Sequence, residues 1–190
     1  MRVVAILLAA GSARRFGGEK LLFQWRGRPL FEHALDALTS SPGIGTAIVV
    51  VQPRFPAPRG WPRCRFVVNP DHEEGMGSSL RAGVRAAPED ADAYLVALAD
   101  MPRITPELIA SLIACYVAAG KPIVVPVHRG RRGHPVMMSR ELREPLLAIT
   151  GDVGAREIIH AHPEWVGEFE TGDEAVVFDV DVPEDLENAG

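Results

Sequence analysis

Glycines and cations gather in one short stretch near the start of the chain, Gly11-Ser12-Ala13-Arg14-Arg15-Phe16-Gly17-Gly18-Glu19-Lys20. Glycines let backbone N–H groups come close to a bound anion, and arginine and lysine neutralise its charge, so the stretch suits a phosphate chain. It is neither of the two commonest phosphate loops. A Walker loop needs Gly directly before its Lys, where Glu19 stands, and a dinucleotide fingerprint needs Gly two places after Gly11, where Ala13 stands. A second chemical group, Asp100, ends the apolar run Ala93–Ala99. In open α/β sheets ligands sit at the carboxyl ends of strands, so this carboxylate faces the crevice of the Gly11 loop. There it either coordinates Mg²⁺ beside the phosphates or caps a turn or the following helix.

These groups must be positioned by the elements around them. Val3–Ala10 is apolar almost without break and reads as a central strand buried on both faces. Further strands are expected at 46–52, 64–69, 93–99 and 123–127, and a late one at 175–181. Helical patterns cover 29–40, 78–87, 106–119, 140–148 and 155–162, with a short terminal helix from Pro183. Pro106 suits a first helical turn, and Thr105 is a good N-cap. Strands alternating with helices predict an α/β fold: one Rossmann-like domain over residues 1–190, its mostly parallel sheet flanked by helices. The proline-rich stretch 52–63 reads as a surface loop.

Hydrophobic residues make up 47% of the 190 residues and charged residues 24%, an ordinary globular balance. Cys64 and Cys115 make no metal spacing and no disulfide framework, which fits a reducing cytoplasm. Residues 1–30 carry Arg2, Arg14, Arg15, Lys20, Arg26 and Arg28 against Glu19 alone, whereas residues 152–190 carry acids against Arg156 alone. With a net charge of −5, the chain suits a small anionic ligand and a metal ion better than nucleic acid. No segment reads as a membrane span or an export signal, so the expected location is the cytoplasm.

Leu8-Ala9-Ala10-Gly11-Ser12-Ala13-Arg14-Arg15-Phe16-Gly17-Gly18-Glu19-Lys20 resembles L-A-A-G-x-S-x-R-M-G-x-x-K, the signature of the MobA-like nucleotidyltransferases, and most of all their molybdenum cofactor cytidylyltransferase branch. Ala13 replaces the usual Ser and Phe16 the usual Met. Further segments follow in the family's order. Asn69-Pro70 through Gly75 to Ser79-Leu80 resembles N-P-x-x-x-x-G-x-x-x-S-L. Asp100-Met101-Pro102 resembles its D-M-P, and Gly133-His134-Pro135-Val136 its G-H-P-V. Gly151-Asp152-Val153-Gly154-Ala155-Arg156 resembles G-D-x-G-A-R, and Asp179 to Leu186 resembles D-x-D-T-P-E-D-L, with Val182 for Thr.

The resemblance implies a fold of the nucleotide-diphospho-sugar transferase type and a Mg²⁺-dependent transfer of CMP from CTP to molybdopterin, the molybdenum cofactor. Pyrophosphate leaves, and the product passes to a recipient molybdoenzyme. It makes Lys20, Arg15 and Asp100 catalytic, and Leu8, Ala9, Ala10, Gly11, Gly17, Gly75 and Ser79 nucleotide-binding. Gly133, His134, Pro135 and Arg132 would border the acceptor, and Asp100 and Asp181 would hold Mg²⁺. Guanylyl-transferring relatives have Gly-Gly where Ala9-Ala10 stand, so two methyl groups would narrow the floor for a pyrimidine. Alternatives remain open at several points. Ser78 suits a helix N-cap better than a ligand contact and Ser79 suits either, Arg131 and Arg132 equally suit a solvated hairpin tip, and Gly151–Arg156 a purely structural turn. Strand alternation would put Asp179 and Asp181 on one face. The alternative functions are a nucleotidyltransferase for another phosphorylated acceptor, a phosphosugar or phospho-alcohol, and a non-catalytic carrier of the cofactor.

Overall fold

The computed structural model describes residues 1–11, 16, 19–58, 60–152 and 154–187. In chain order its strands are β1 (Val3–Ala9), β2 (Gln24–Trp25), β3 (Arg28–Pro29), β4 (Ile44–Val51) and β5 (Cys64–Val68), followed by β6 (Ala93–Leu98), β7 (Ile123–His128), β8 (Arg131–Arg132), β9 (Val136–Ser139) and β10 (Val166–Glu170). The helices are α1 (Leu30–Ser40), α2 (Met76–Ala86), α3 (Pro106–Ala119), α4 (Arg143–Ala148), α5 (Arg156–Ala161) and α6 (Pro183–Glu187).

One mixed sheet runs in the order β10-β7-β9-β6-β1-β4-β5, with β8 beside β7, while β2 and β3 form a separate hairpin. At its centre β1 pairs in parallel with β4 and with β6. β9 runs antiparallel between β6 and β7. The alternation of β1 serves both faces. Val3, Ala5, Leu7 and Ala9 enter a core with α1 and α3. Val4 and Ile6 enter a second core with α2, α4 and α5. A run apolar on both faces therefore gives the most buried strand, as a parallel sheet requires.

Helix α3 starts at Pro106, where the Thr105 hydroxyl accepts from the Leu108 N–H at 3.2 Å. The expected helix at 140–148 divides into a 3₁₀ turn, Arg140–Leu142, and α4. α2 begins at Met76, two residues before the position expected from Ser78, so both serines lie inside the helix. No helix among the described residues is long and apolar enough to cross a membrane.

The late strand expected at 175–181 is not formed. Strand β10 takes the edge beside β7, and the later segment folds as a 3₁₀ turn, Glu174–Val177, capped by the Asp173 carboxylate accepting from Ala175 N–H at 2.9 Å. Its apolar residues satisfy separate cores: Ala175 and Val176 pack in the α1/α3 core, and Val180 joins Leu30 and Leu186 in a small third one. The same-face argument for Asp179 and Asp181 falls with the strand.

Candidate active-site cleft

A cleft of about 1000 Å³ opens at the carboxyl ends of β1 and β6. Leu8, Ala10 and Gly11 from the end of β1, and Leu98 and Asp100 from the end of β6, form its floor. Lys20, Gly75, Ser79 and Asp181 also line it, so side chains far apart in sequence converge there. Arg15 and Gly17 lie outside the described residues.

Lys20 opens a 3₁₀ turn, Lys20–Leu22, and its Nζ donates to Asp100 Oδ2 and to the Val180 carbonyl, both at 2.7 Å. The two side chains of this ion pair are 12% and 24% exposed, so it is only weakly screened. Val180 N–H donates in turn to the Asp100 carbonyl at 3.0 Å. The segment carrying Asp181 is thereby tied to the end of β6. Beyond it, Asp185 Oδ2 accepts from the N–H groups of Asp181 and Val182 at 2.8 and 2.9 Å. Those bonds, Val182's first, hold the Asp185 carboxyl below its ordinary value. Asp179 is pushed the other way, by burial first and then by the charges of Asp100 and Asp181. Three carboxylates therefore share one field with one lysine among them.

The opposite wall is the start of α2. Gly75 stands at φ +104°, and an added Cβ would meet Asp152 Cα at 2.7 Å, so only glycine fits there. The Asp152 carboxylate accepts from Met76 N–H at 2.9 Å, and the Gly151 carbonyl from Gly77 N–H at 3.0 Å. The cap of α2 is thus supplied from a distant turn rather than by Ser78 or Ser79. Those serines are buried, and their oxygens accept from Asn69 Nδ2 at 2.8 and 3.1 Å. Asp152 and Arg156 also line the cleft. The sequence offered a signal for both in G-D-x-G-A-R, which a structural turn alone explained equally well.

Several expected contacts fall elsewhere. Ala9 packs into the α1/α3 core on the far face of the sheet, because alternation that turns Ala10 to the cleft turns its neighbour away. Arg131 and Arg132 form β8, joined to β7 by a two-residue turn with Arg129 at φ +50° and Gly130 at φ +76°. Arg132 is exposed and held by Glu168 Oε1 at 2.8 and 3.0 Å, away from the cleft lining, so the hairpin-tip reading describes it. Gly133 packs directly on Val176, whose carbonyl accepts from His134 N–H at 2.8 Å. A cis peptide joins His134 to Pro135, which is buried and does not line the cleft. His134 Nδ1 is buried without a hydrogen-bond partner among the described residues. Burial lowers its pKa, against a hydrogen bond to the Val96 backbone and the charge of Asp100 that raise it, while Arg156 lowers it further. His134 therefore lies within electrostatic reach of the cleft as a neutral ring.

No group of three or more His, Cys, Asp and Glu side chains poised to hold a metal occurs among the described residues. Asp100 and Asp181 nevertheless fit a divalent ion of the Mg²⁺ kind. Such an ion is held by one or two carboxylates and completes its shell with substrate phosphates and water. Burial first, and then repulsion from Asp100 and Asp181, raises Asp179, and a cation there would relieve the repulsive part.

The MobA-like NTP transferase domain family matches residues 5–165 of this chain. Among similar proteins is the nicotine blue oxidoreductase of Paenarthrobacter nicotinovorans, 33% identical over 97% of this chain and 94% of its own. Another is the probable molybdenum cofactor guanylyltransferase of Bacillus subtilis, 30% identical over 88% and 86%. The crystal structure of Rv0371c from Mycobacterium tuberculosis, 23% identical, superposes with a TM-score of 0.83 over 100% of this chain and 98% of that one, and it has also been solved as a complex with manganese.

Proposed function

Since this chain belongs to the MobA-like NTP transferase family, we propose that it transfers CMP from CTP to the phosphate of the molybdenum cofactor, giving the cytosine dinucleotide form and releasing pyrophosphate. The observation that carries this reading is the convergence of Lys20, Asp100 and Asp181 on the cleft formed by Ala10, Gly11, Gly75 and Ser79.

The reaction asks for positioning and charge rather than covalent help. An oxygen of the acceptor phosphate attacks the α-phosphorus. The bond from that phosphorus to the bridging oxygen breaks, and pyrophosphate departs with the electron pair. The acceptor is already an anion near neutral pH, so no base is needed, and burial of His134 disfavours its imidazolium form. Lys20 faces the developing negative charge, and Arg15 and the Gly11–Gly18 backbone hold the remaining phosphates. The chemistry that Mg²⁺ supplies when bound by Asp100 and Asp181 is neutralisation of two anions forced together. Ser79, fixed by Asn69 through its oxygen, keeps its hydroxyl proton for the base or ribose. Arg156, on the cleft lining, stands toward the acceptor, with Nδ1 of His134 buried behind the wall.

The choice of CTP rests on Ala10, which lines the floor where a purine would lie, while Ala9 packs on the other face of the sheet. Relatives named guanylyltransferases make the base the point to test. Purified protein is given Mg²⁺, molybdenum cofactor and either CTP or GTP, and pyrophosphate is measured. Cofactor-dependent release with CTP supports the reading. Preferential release with GTP overturns the base, and no release with either overturns the reaction. The site is expected to work in the cytoplasm, with a molybdoenzyme receiving the product.

A further inference from the structure

Lys20 rests on the carboxylate that the proposed function assigns to a divalent ion. Its Nζ lies 2.7 Å from Asp100 Oδ2 and 2.7 Å from the Val180 carbonyl, in a pair whose side chains are 12% and 24% exposed. An ammonium at that distance neutralises the carboxylate and repels a second cation approaching the same oxygen. Lysine is also suited to leave: its charge sits on a flexible four-carbon stem with three rotatable donors. The partner it would leave for enters the same cleft, which Gly11, Lys20 and Asp100 all line.

We propose that Lys20 is a place-holding cation that keeps free divalent ions off Asp100 until a nucleotide arrives. The phosphate chain draws the ammonium from the carboxylate to itself. Asp100, with Asp181, is then released to take the metal, so metal and nucleotide load together and neither loads well alone. Val180 makes the exchange local: its N–H keeps the Asp100 backbone in place at 3.0 Å while its carbonyl loses the lysine. The inference rests on the reading of Asp100 and Asp181 as the metal-holding pair.

Two measurements test it with Mn²⁺ as the probe, followed by the resonance signal of the unbound ion. In the wild-type protein, Mn²⁺ binding is titrated without nucleotide and with CTP or GTP. Each partner should tighten the other at least tenfold, since coupling between two sites is reciprocal. In the second, Lys20→Met, Lys20→Arg and Lys20→Met/Asp100→Asn are compared without nucleotide. Lys20→Met should bind Mn²⁺ at least tenfold tighter than wild type, Lys20→Arg should stay weak, and the double variant should lose the gain. If Lys20→Met binds free Mn²⁺ no better than wild type while Mn²⁺ with nucleotide still requires Asp100, the place-holder idea is overturned and the metal reading stands. If Mn²⁺ uptake ignores Asp100 even with nucleotide, the metal reading fails and takes the inference with it. Should Lys20→Met not fold, absence of coupling in the wild-type titration overturns the proposal by itself.

Discussion

Replacing Gly133 with alanine perturbs the cleft from behind, through its close packing on the Val176 backbone. A Cβ at Gly133 would stand 1.8 Å from the Val176 carbonyl oxygen and 2.6 Å from its carbon, where ordinary contact begins near 3.4 Å. Both atoms are backbone, so no side chain can rotate away, and the two segments must separate by roughly 1.6 Å. The separation breaks the 2.8 Å bond from His134 N–H to Val176 and strains the 2.9 Å bond from Gly133 N–H to the Pro126 carbonyl. A buried backbone group left without its partner costs about 1–3 kcal/mol. Overpacking a well-filled site costs about 1–3 kcal/mol more. The sum of about 2–6 kcal/mol corresponds to a fall in Tm of roughly 4–24 °C for a chain of this size. Urea and thermal unfolding of Gly133→Ala measure it, with Gly172→Ala as control, since nothing lies within 4 Å of a Cβ there. The control should stay within about 0.5 kcal/mol of wild type. A Gly133→Ala protein melting within about 2 °C of wild type would refute the reasoning. Activity should fall as well at temperatures where the variant is fully folded, because Val176 lies just before Val180, the residue that accepts from Lys20.

Asp152→Ala removes the carboxylate that caps α2 and should cost about 1 kcal/mol, read by thermal unfolding, with Asp152→Asn largely sparing it. For Asp179 the folded-state pKa is raised, so the folded protein binds that proton more tightly than the unfolded chain does. Stability therefore declines as pH climbs from the ordinary carboxylate value through the raised one. Asp179→Asn should be more stable than wild type above that window and equal below it, by urea unfolding at neutral and strongly acidic pH. Lys20→Ala should lower kcat on the order of 10²–10³-fold; pyrophosphate release at the wild-type rate would remove Lys20 from the catalytic group. Burial raises the Cys64 thiol to about 11, so at pH 8 about one in a thousand is thiolate, and a disulfide reagent should label it far more slowly than a free thiol.

The alternating fold was legible because its signals are local. An apolar run buried on both faces can only be central, and Thr105-Pro106 marks a helix start without help from the rest of the chain. The strands that escaped are set by partners instead. Val136–Ser139 is four residues long and owes its place to β6 and β7 on either side. Val166–Glu170 alternates weakly and pairs along one edge only. That pairing took the edge beside β7, and the apolar residues of 175–181 were buried in two separate cores instead. Lys20 and Asp100 were readable from strand ends and the glycine-rich loop, and Asp181 from its motif. Asp152 and Arg156 depend on how a distant turn docks against α2, which spacing cannot express. Ala9 was readable in principle, since a period of two places it opposite Ala10.

The bond from Lys20 to Val180 joins residues 160 positions apart. Such a contact closes late, after the loop entropy of most of the domain has been spent. A chain with β1, β4 and β5 paired still lacks the place where Lys20 meets Asp100 and Val180. Ligand binding should therefore report on the last stage of folding rather than on the sheet. Local release of the segment around Val180 would unmake the site while leaving the secondary structure intact.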